Sequence, residues 1–89
     1  MTHEHQTAQV ILKAPSGFHA RPASMFAKLT KDFPGDIVLR YGSHTANGKS
    51  VMNLLALGAG PGSEIVVDVT GPNAGEVIKT LVGFLETME

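Results

Sequence analysis

Clusters of glycine and proline divide this chain into short segments, and this division limits the fold more than any other feature. The clusters are Pro15-Ser16-Gly17, Pro34-Gly35, the loop Gly58 to Gly62, and Gly71-Pro72-Asn73. Because glycine and proline interrupt helices and strands, each segment between two clusters has room for one or two short elements. The chain has 89 residues, so we expect a single domain over residues 1–89, built around one core.

Alternation of apolar and polar residues predicts four strands. They cover Ala8 to Ala14, Asp36 to Tyr41, His44 to Asn47 and Glu64 to Thr70. The third is short and polar, which is typical of an edge strand. Residues 1–7 are polar and predict a flexible lead-in.

Helical spacing and capping residues predict three helices. The first begins near His19 or Ala20, has Pro22 in its first turn, and ends at Pro34-Gly35. The second begins after its N-cap Ser50 and ends near Leu57, and the third begins at Asn73.

Asn73 and Glu76 have the spacing of a capping box. The residues expected to face the core are Ala23, Phe26, Ala27, Thr30 and Phe33 on the first helix, and Val77, Ile78, Leu81, Val82, Leu85 and Met88 on the third. The order strand, helix, strand, strand, helix, strand, helix favours an α+β fold. In it, one mostly antiparallel sheet carries the helices on a single face.

Composition argues against several classes of protein. Seven basic residues against eight acidic ones give a net charge of −1, whereas nucleic-acid binding relies on a basic surface. The chain has no cysteine, which excludes disulfides, Cys-ligated zinc and thiol catalysis. No apolar run approaches the roughly 18 residues of a membrane span, and the N-terminus lacks the pattern of an export signal. We therefore expect a cytoplasmic protein with no membrane partner, no metal and no cofactor.

The segment Ser16-Gly17-Phe18-His19-Ala20-Arg21-Pro22 places a histidine at the start of a helix. The first N–H groups of a helix have no carbonyl partners, and together with the helix dipole they attract anions. Neutral imidazole, with an unperturbed pKa of about 6.5, is a competent nucleophile near pH 7. The amides and the Arg21 guanidinium would stabilise a phosphoryl group on the ring. This is the chemistry of a reversible phosphoryl carrier. The alternative is that His19 is a turn residue and Arg21 a solvated charge.

The second predicted helix is apolar over most of its surface. Its apolar residues are Val51, Met52, Leu54, Leu55, Ala56 and Leu57. So short a helix cannot bury all of them in a small domain, and an exposed patch that contains methionine is typical of a docking surface. A fully buried helix is the alternative. One face of the first helix carries a mostly basic stripe, formed by Arg21, Ser24, Lys28 and Lys31. It is either a surface for an acidic partner or a solvated face.

Ser50 is a strong N-cap candidate, and beside Lys49 it is also a candidate for phosphorylation. Other motifs do not support a function. The segment Gly42 to Ser50 resembles a Walker A loop but has five residues between its glycines instead of four. The glycines at 58, 60 and 62 follow a helix, the reverse of a dinucleotide fingerprint. His3 and His5 could share a metal, although a flexible tail is the simpler interpretation, and His44 has no evident partner.

Two of these segments together resemble the HPr family, the histidine-containing phosphocarrier proteins of the bacterial sugar phosphotransferase system. The stretch Gly17 to Ala23 resembles the family's active-site signature, and Lys49 to Gly58 resembles its regulatory-serine region at the expected distance. The resemblance extends from about Gln9 to Met88. It implies an open-faced β-sandwich, a four-stranded antiparallel sheet with three helices on one face.

The resemblance also implies how the protein acts. His19 would accept a phosphoryl group on Nδ1 from phosphorylated enzyme I, ultimately from phosphoenolpyruvate, and pass it to enzyme IIA components of sugar permeases. Arg21 would assist the transfer. We expect Ser16, Gly17, Ala20 and Arg21 to stabilise the phosphate. We expect the docking surface to comprise Ala20, Ser24, Lys28, Lys49, Val51, Met52 and Leu55. The chain would be a monomeric carrier rather than an enzyme.

In some bacteria a bifunctional kinase/phosphorylase modifies the serine corresponding to Ser50 and redirects the carrier to a catabolite-control transcription regulator. Other relatives serve a nitrogen-regulatory phosphorelay. Still others act only as serine-phosphorylated co-regulators, and these lack the histidine, so His19 counts against that branch. Phe18 is bulkier than the aliphatic residue often found before the histidine, and the N-terminal tail is longer than usual.

Two alternatives come from other functional classes. A small phosphatase-like enzyme would need a water-positioning side chain near His19, and the sequence shows none. A pure binding module would act through the patch around Met52 and Leu55.

Overall fold

The computed structural model describes residues 4–88. Within them the elements are β1 (His5–Ile11), α1 (Ala20–Thr30), β2 (Asp36–Tyr41), β3 (His44–Asn47), α2 (Val51–Ala56), β4 (Glu64–Thr70) and α3 (Ala74–Thr87). The strands form one antiparallel sheet in the order β1-β4-β2-β3. The predicted α+β fold is therefore confirmed, with β3 at one edge of the sheet. Within the same residues, no helix has the length and apolar character needed to cross a bilayer.

The core lies between one face of the sheet and the helices. Alternate strand residues point into it, α1 and α3 contribute one buried stripe each, and α2 contributes Leu54. The largest fully buried side chains are Phe26, Leu12, Ile37, Leu39, Leu54, Ile65, Leu81, Leu85, Val67, Val69 and Thr30. Buried Thr30 donates a hydrogen bond to the carbonyl of Gly48 at 2.8 Å, which joins α1 to the turn before α2.

The opposite face of the sheet carries polar side chains. Asp68 on β4 accepts hydrogen bonds there from Arg40 Nη2 at 2.9 Å and from Thr7 Oγ1. The bounds of β2, β3 and β4 agree with the prediction. Phe33, predicted to face the core from α1, follows the end of that helix and is only partly buried.

The first strand begins earlier than predicted. It runs from His5 to Ile11 rather than from Ala8 to Ala14, because the seven residues of β4 pair with it from His5 opposite Thr70 to Ile11 opposite Glu64. The residues at its start are exposed and polar, so no apolar alternation marks them. Residues 5–7, predicted as part of the lead-in, are thus paired in the sheet, and residues 1–3 lie outside the described residues.

The predicted capping box at α3 does not form. Asn73 has left-handed backbone angles, φ 59° and ψ 30°, and its side chain makes no capping hydrogen bond. A capping side chain needs extended backbone at the N-cap, and Asn73 lacks it. The carbonyl of Asn73 still accepts from the N–H groups of Glu76 and Val77, both at 3.0 Å.

Candidate phosphoryl-acceptor site

A tight turn and a close backbone approach fix the loop before His19. The N–H of Gly17 donates to the carbonyl of Ala14 at 3.0 Å, closing a turn with Pro15 at its second position, where proline is favoured. Gly17 has φ +66°, and a Cβ on it would lie 2.5 Å from the carbonyl oxygen of Ala59. Only glycine fits here, because both the conformation and the space exclude a side chain. Ser16 lies exposed in the same turn.

Phe18 anchors the next residue of this loop. Its N–H donates to the carbonyl of Ala59 at 2.9 Å. Its ring is buried and packs edge-to-face on Phe26, with 5.9 Å between ring centroids. The bulk of Phe18 thus contributes to the core directly beside His19, a role that its apolar character in a polar turn could have indicated.

His19 is the N-cap of α1. Its backbone is extended, with φ −110° and ψ −172°, and its carbonyl accepts the first helical hydrogen bond from Ala23 at 3.0 Å. The imidazole is not used to cap the helix, and the residue is partly exposed. A histidine that solvent and partners can reach therefore lies at a helix N-terminus, where amides and the dipole favour an anion. Pro22 lies in the first turn, as predicted.

A groove runs from His19 between the start of α1 and the end of α3. It is lined by His19, Arg21, Pro22 and Met25 on one side and by Phe84, Thr87 and Met88 on the other. We call it the α1–α3 groove. Phe84 joins the two helices, since its ring lies 5.8 Å from that of Phe26. The contribution of α3 was missed from the sequence, because only tertiary packing brings these residues to His19.

The predicted docking residues divide by exposure. On α2, Met52 is 75% exposed and Leu55 is 37% exposed, whereas Leu54 is fully buried. The expectation that part of this apolar set stays exposed is confirmed, against a fully buried helix. Val51 is partly exposed, and Ala20, Ser24 and Lys28 are exposed on α1.

Lys49 interacts within the fold. Its Nζ donates to the carbonyl of Phe33 and lies 5.9 Å from the centroid of the Phe33 ring. The ammonium group of Lys49 therefore makes a structural contact in addition to its predicted role in docking.

Ser50 is the N-cap of α2, as predicted. Its Oγ accepts hydrogen bonds from the backbone N–H and the side-chain Nδ2 of Asn53, both at 3.2 Å. Its backbone is extended, as a capping residue requires, and the residue is partly exposed. Of the other histidines, His44 is exposed on β3, His5 Nε2 lies 3.3 Å from Asp68 Oδ1, and His3 lies outside the described residues.

Comparison with known proteins agrees with this fold. A family model described as the PTS HPr component phosphorylation site matches residues 6–87. The phosphocarrier protein HPr of Vibrio cholerae is 34% identical over 80 residues, which cover 90% of this chain and 94% of that protein.

Two further proteins extend the comparison. The crystal structure of an HPr from Bacillus anthracis matches with a TM-score of 0.85 and 30% identity, over 91% of this chain and 96% of that one. The HPr-like protein Crh of Halalkalibacterium halodurans is 33% identical over 78 residues, covering 88% of this chain and 93% of that protein.

A small α+β domain with an accessible histidine at a helix N-terminus has the properties of a phosphoryl carrier. The chain belongs to the HPr family of phosphocarrier proteins of the phosphotransferase system.

Proposed function

We propose that this protein accepts a phosphoryl group on Nδ1 of His19 from phosphorylated enzyme I and passes it to enzyme IIA components of sugar permeases, as a monomer in the cytoplasm. The observation that carries the proposal is the position of His19, partly exposed and at the N-cap of α1. Protein partners can therefore reach the ring, and the ring stands where a helix stabilises an anion.

The expected stabilisation of the phosphoryl group is modest, which suits a carrier. A helix N-terminus contributes about 0.3–1 kcal/mol to an exposed anion and about 2 kcal/mol in a partly buried setting. Arg21 lines the same groove as His19 and supplies a charge-assisted contact. We assign the amide of Ala20 and the hydroxyl of Ser16 the same supporting role. Gly17, whose own N–H donates to the carbonyl of Ala14, supports the phosphoryl group by shaping the loop that leads to His19. Such a site holds the phosphoryl group and still releases it to the next protein.

Partner recognition is assigned to the exposed surface beside this site. The proposed docking surface combines apolar and basic groups. It comprises Ala20, Ser24 and Lys28 on α1, Val51, Met52 and Leu55 on α2, and Lys49. An acidic partner with an apolar centre fits it. The presence of His19 favours the phosphocarrier branch over a Crh-like co-regulator. A role in a nitrogen-regulatory phosphorelay is the second candidate, and it uses the same histidine.

The test is phosphoryl transfer with purified components. Incubated with enzyme I and labelled phosphoenolpyruvate, the chain should acquire one phosphoryl group per molecule. That label should be stable in alkali, lost in acid, and passed on when an enzyme IIA component is added. A small phosphatase would instead release inorganic phosphate continuously, and a binding module would acquire no label. Either result contradicts the proposal.

Ser50 is proposed as a second, regulatory phosphorylation site, recognised by a kinase/phosphorylase and then by a catabolite-control transcription regulator. Its Oγ lies at the N-terminus of α2, next to the exposed apolar residues of the docking surface. A phosphate there adds about two negative charges to a surface that we expect to meet acidic partners.

Ser50→Asp should therefore slow phosphorylation of His19 by enzyme I, because it adds negative charge while aspartate still caps the helix. Ser50→Ala is the matched control. It loses about 1 kcal/mol of stability with the cap but should be phosphorylated at the normal rate. Initial rates with limiting enzyme I and urea denaturation of both variants measure the two effects. Equal rates for Ser50→Asp and the unmodified chain would remove this electrostatic interpretation.

A further inference from the structure

The α1–α3 groove leaves apolar surface uncovered beside His19. Met25 lies one turn after Arg21 on α1 and lines the groove, and 51% of its surface is exposed. Across from it, Phe84 on α3 is partly exposed, while Met88 is buried, with 9% of its surface exposed. The groove thus has an apolar floor and opens at the histidine.

This groove lies on a different flank of α1 from the proposed docking surface. Successive residues of an α-helix are about 100° apart around its axis, so Met25 and Ser24 point in different directions. Ser24 belongs to the docking surface, and Met25 turns toward the end of α3, where the groove lies. His19 stands at the end of α1, between the two flanks.

A protein that exchanges a phosphoryl group with His19 must cover the mouth of the groove. The phosphorus atom has to reach the imidazole, and the imidazole itself lines the groove. The partner's surface is therefore continuous from the docking surface across His19 to Met25. Among residues 4–88, the lining of the groove contains Arg21 and no acidic side chain, which suits a carboxylate on the partner beside an apolar group.

We infer that the α1–α3 groove receives an apolar side chain of enzyme I, next to an acidic residue that pairs with Arg21. This rests on the proposed function and extends it. The partner contacts both flanks of α1, and the end of α3 is part of the recognition surface. Methionine suits this position, because its flexible thioether adapts to the shape of the group it meets.

The first test compares two exposed apolar residues of one helix. Met25→Gln should raise the KM of the chain as a substrate of enzyme I about fivefold with kcat unchanged, as expected when uniform binding is lost. Leu29→Gln is the matched control, since Leu29 is 49% exposed on α1 and does not line the groove. Its KM should stay at the value of the unmodified chain. Equal KM values for the two variants would overturn the inference.

The second test approaches the groove from α3. Thr87 and Thr80 are both exposed, and each donates its hydroxyl to the carbonyl four residues earlier. Only Thr87 of the two lines the groove. Thr87→Glu should raise the KM by a similar factor, because it sets a negative charge against an acidic partner, and Thr80→Glu should not. A KM for Thr87→Glu equal to that of Thr80→Glu would count against the groove.

Two further outcomes separate the possible failures. If the unmodified chain takes no label from enzyme I, the proposed function fails. If it is labelled normally and Met25→Gln has the same KM, the inference alone fails. Sedimentation of the unmodified chain and of Met25→Gln gives the remaining result. A dimer that Met25→Gln dissociates would assign the groove to a second copy and overturn the inference, whereas monomers in both cases support it.

Discussion

Replacing His19 with alanine should leave a folded chain that takes no label from enzyme I and phosphoenolpyruvate. The imidazole is the proposed nucleophile, and alanine offers no lone pair to the phosphorus atom. The fold should survive, because His19 is partly exposed and alanine retains the backbone carbonyl that accepts the first helical hydrogen bond of α1. Measurement of bound label per chain, together with urea denaturation, separates loss of the acceptor from loss of structure.

The matched control for this variant is His44→Ala. His44 is exposed on the edge strand β3 and is absent from the groove around His19. Its removal should leave one acid-labile phosphoryl group per chain. If His19→Ala retained the label and His44→Ala lost it, His44 would be the acceptor and the proposed role of His19 would be wrong.

The parts of the fold that local sequence rules determine agree with prediction. β4 alternates buried Ile65, Val67 and Val69 with residues on the open face, and its bounds match the prediction at both ends. Ser50 caps α2 as its residue type indicates. In these segments the local preference and the tertiary contact favour the same structure, so the pattern is sufficient.

Prediction fails where a distant segment decides the structure. The start of β1 is polar and is a strand because β4 is long enough to pair with it. A second failure is local: the left-handed backbone of Asn73 removes a cap that its spacing to Glu76 indicated. In the site, the stretch from Gly17 to Arg21 is local and is predicted from the sequence, but tertiary packing brings the end of α3 to His19, with Phe84 lying against Phe26.

Gly17 shows how a distant segment controls the phosphoryl-acceptor loop, and Gly17→Ala should disturb both stability and transfer. The left-handed backbone costs an L-residue about 1–2 kcal/mol. In addition, the new Cβ would lie 2.5 Å from the Ala59 oxygen and 2.6 Å from the Gly60 Cα. Because both neighbours are backbone atoms, one loop must move, and overpacking of this kind costs about 1–3 kcal/mol. Together these predict a loss of about 2–5 kcal/mol in the free energy of unfolding.

A second glycine separates strain from overlap. Gly62 also has a positive φ, +83°, but a Cβ there would meet no atom within 4 Å, so Gly62→Ala should cost only the conformational term of about 1–2 kcal/mol. Phosphorylation by enzyme I should be slowed in Gly17→Ala and not in Gly62→Ala, because only the first displaces the loop that ends at His19. Urea denaturation and initial transfer rates measure both effects. Equal destabilisation and equal rates in the two variants would mean that contact with Ala59 and Gly60 does not position the histidine.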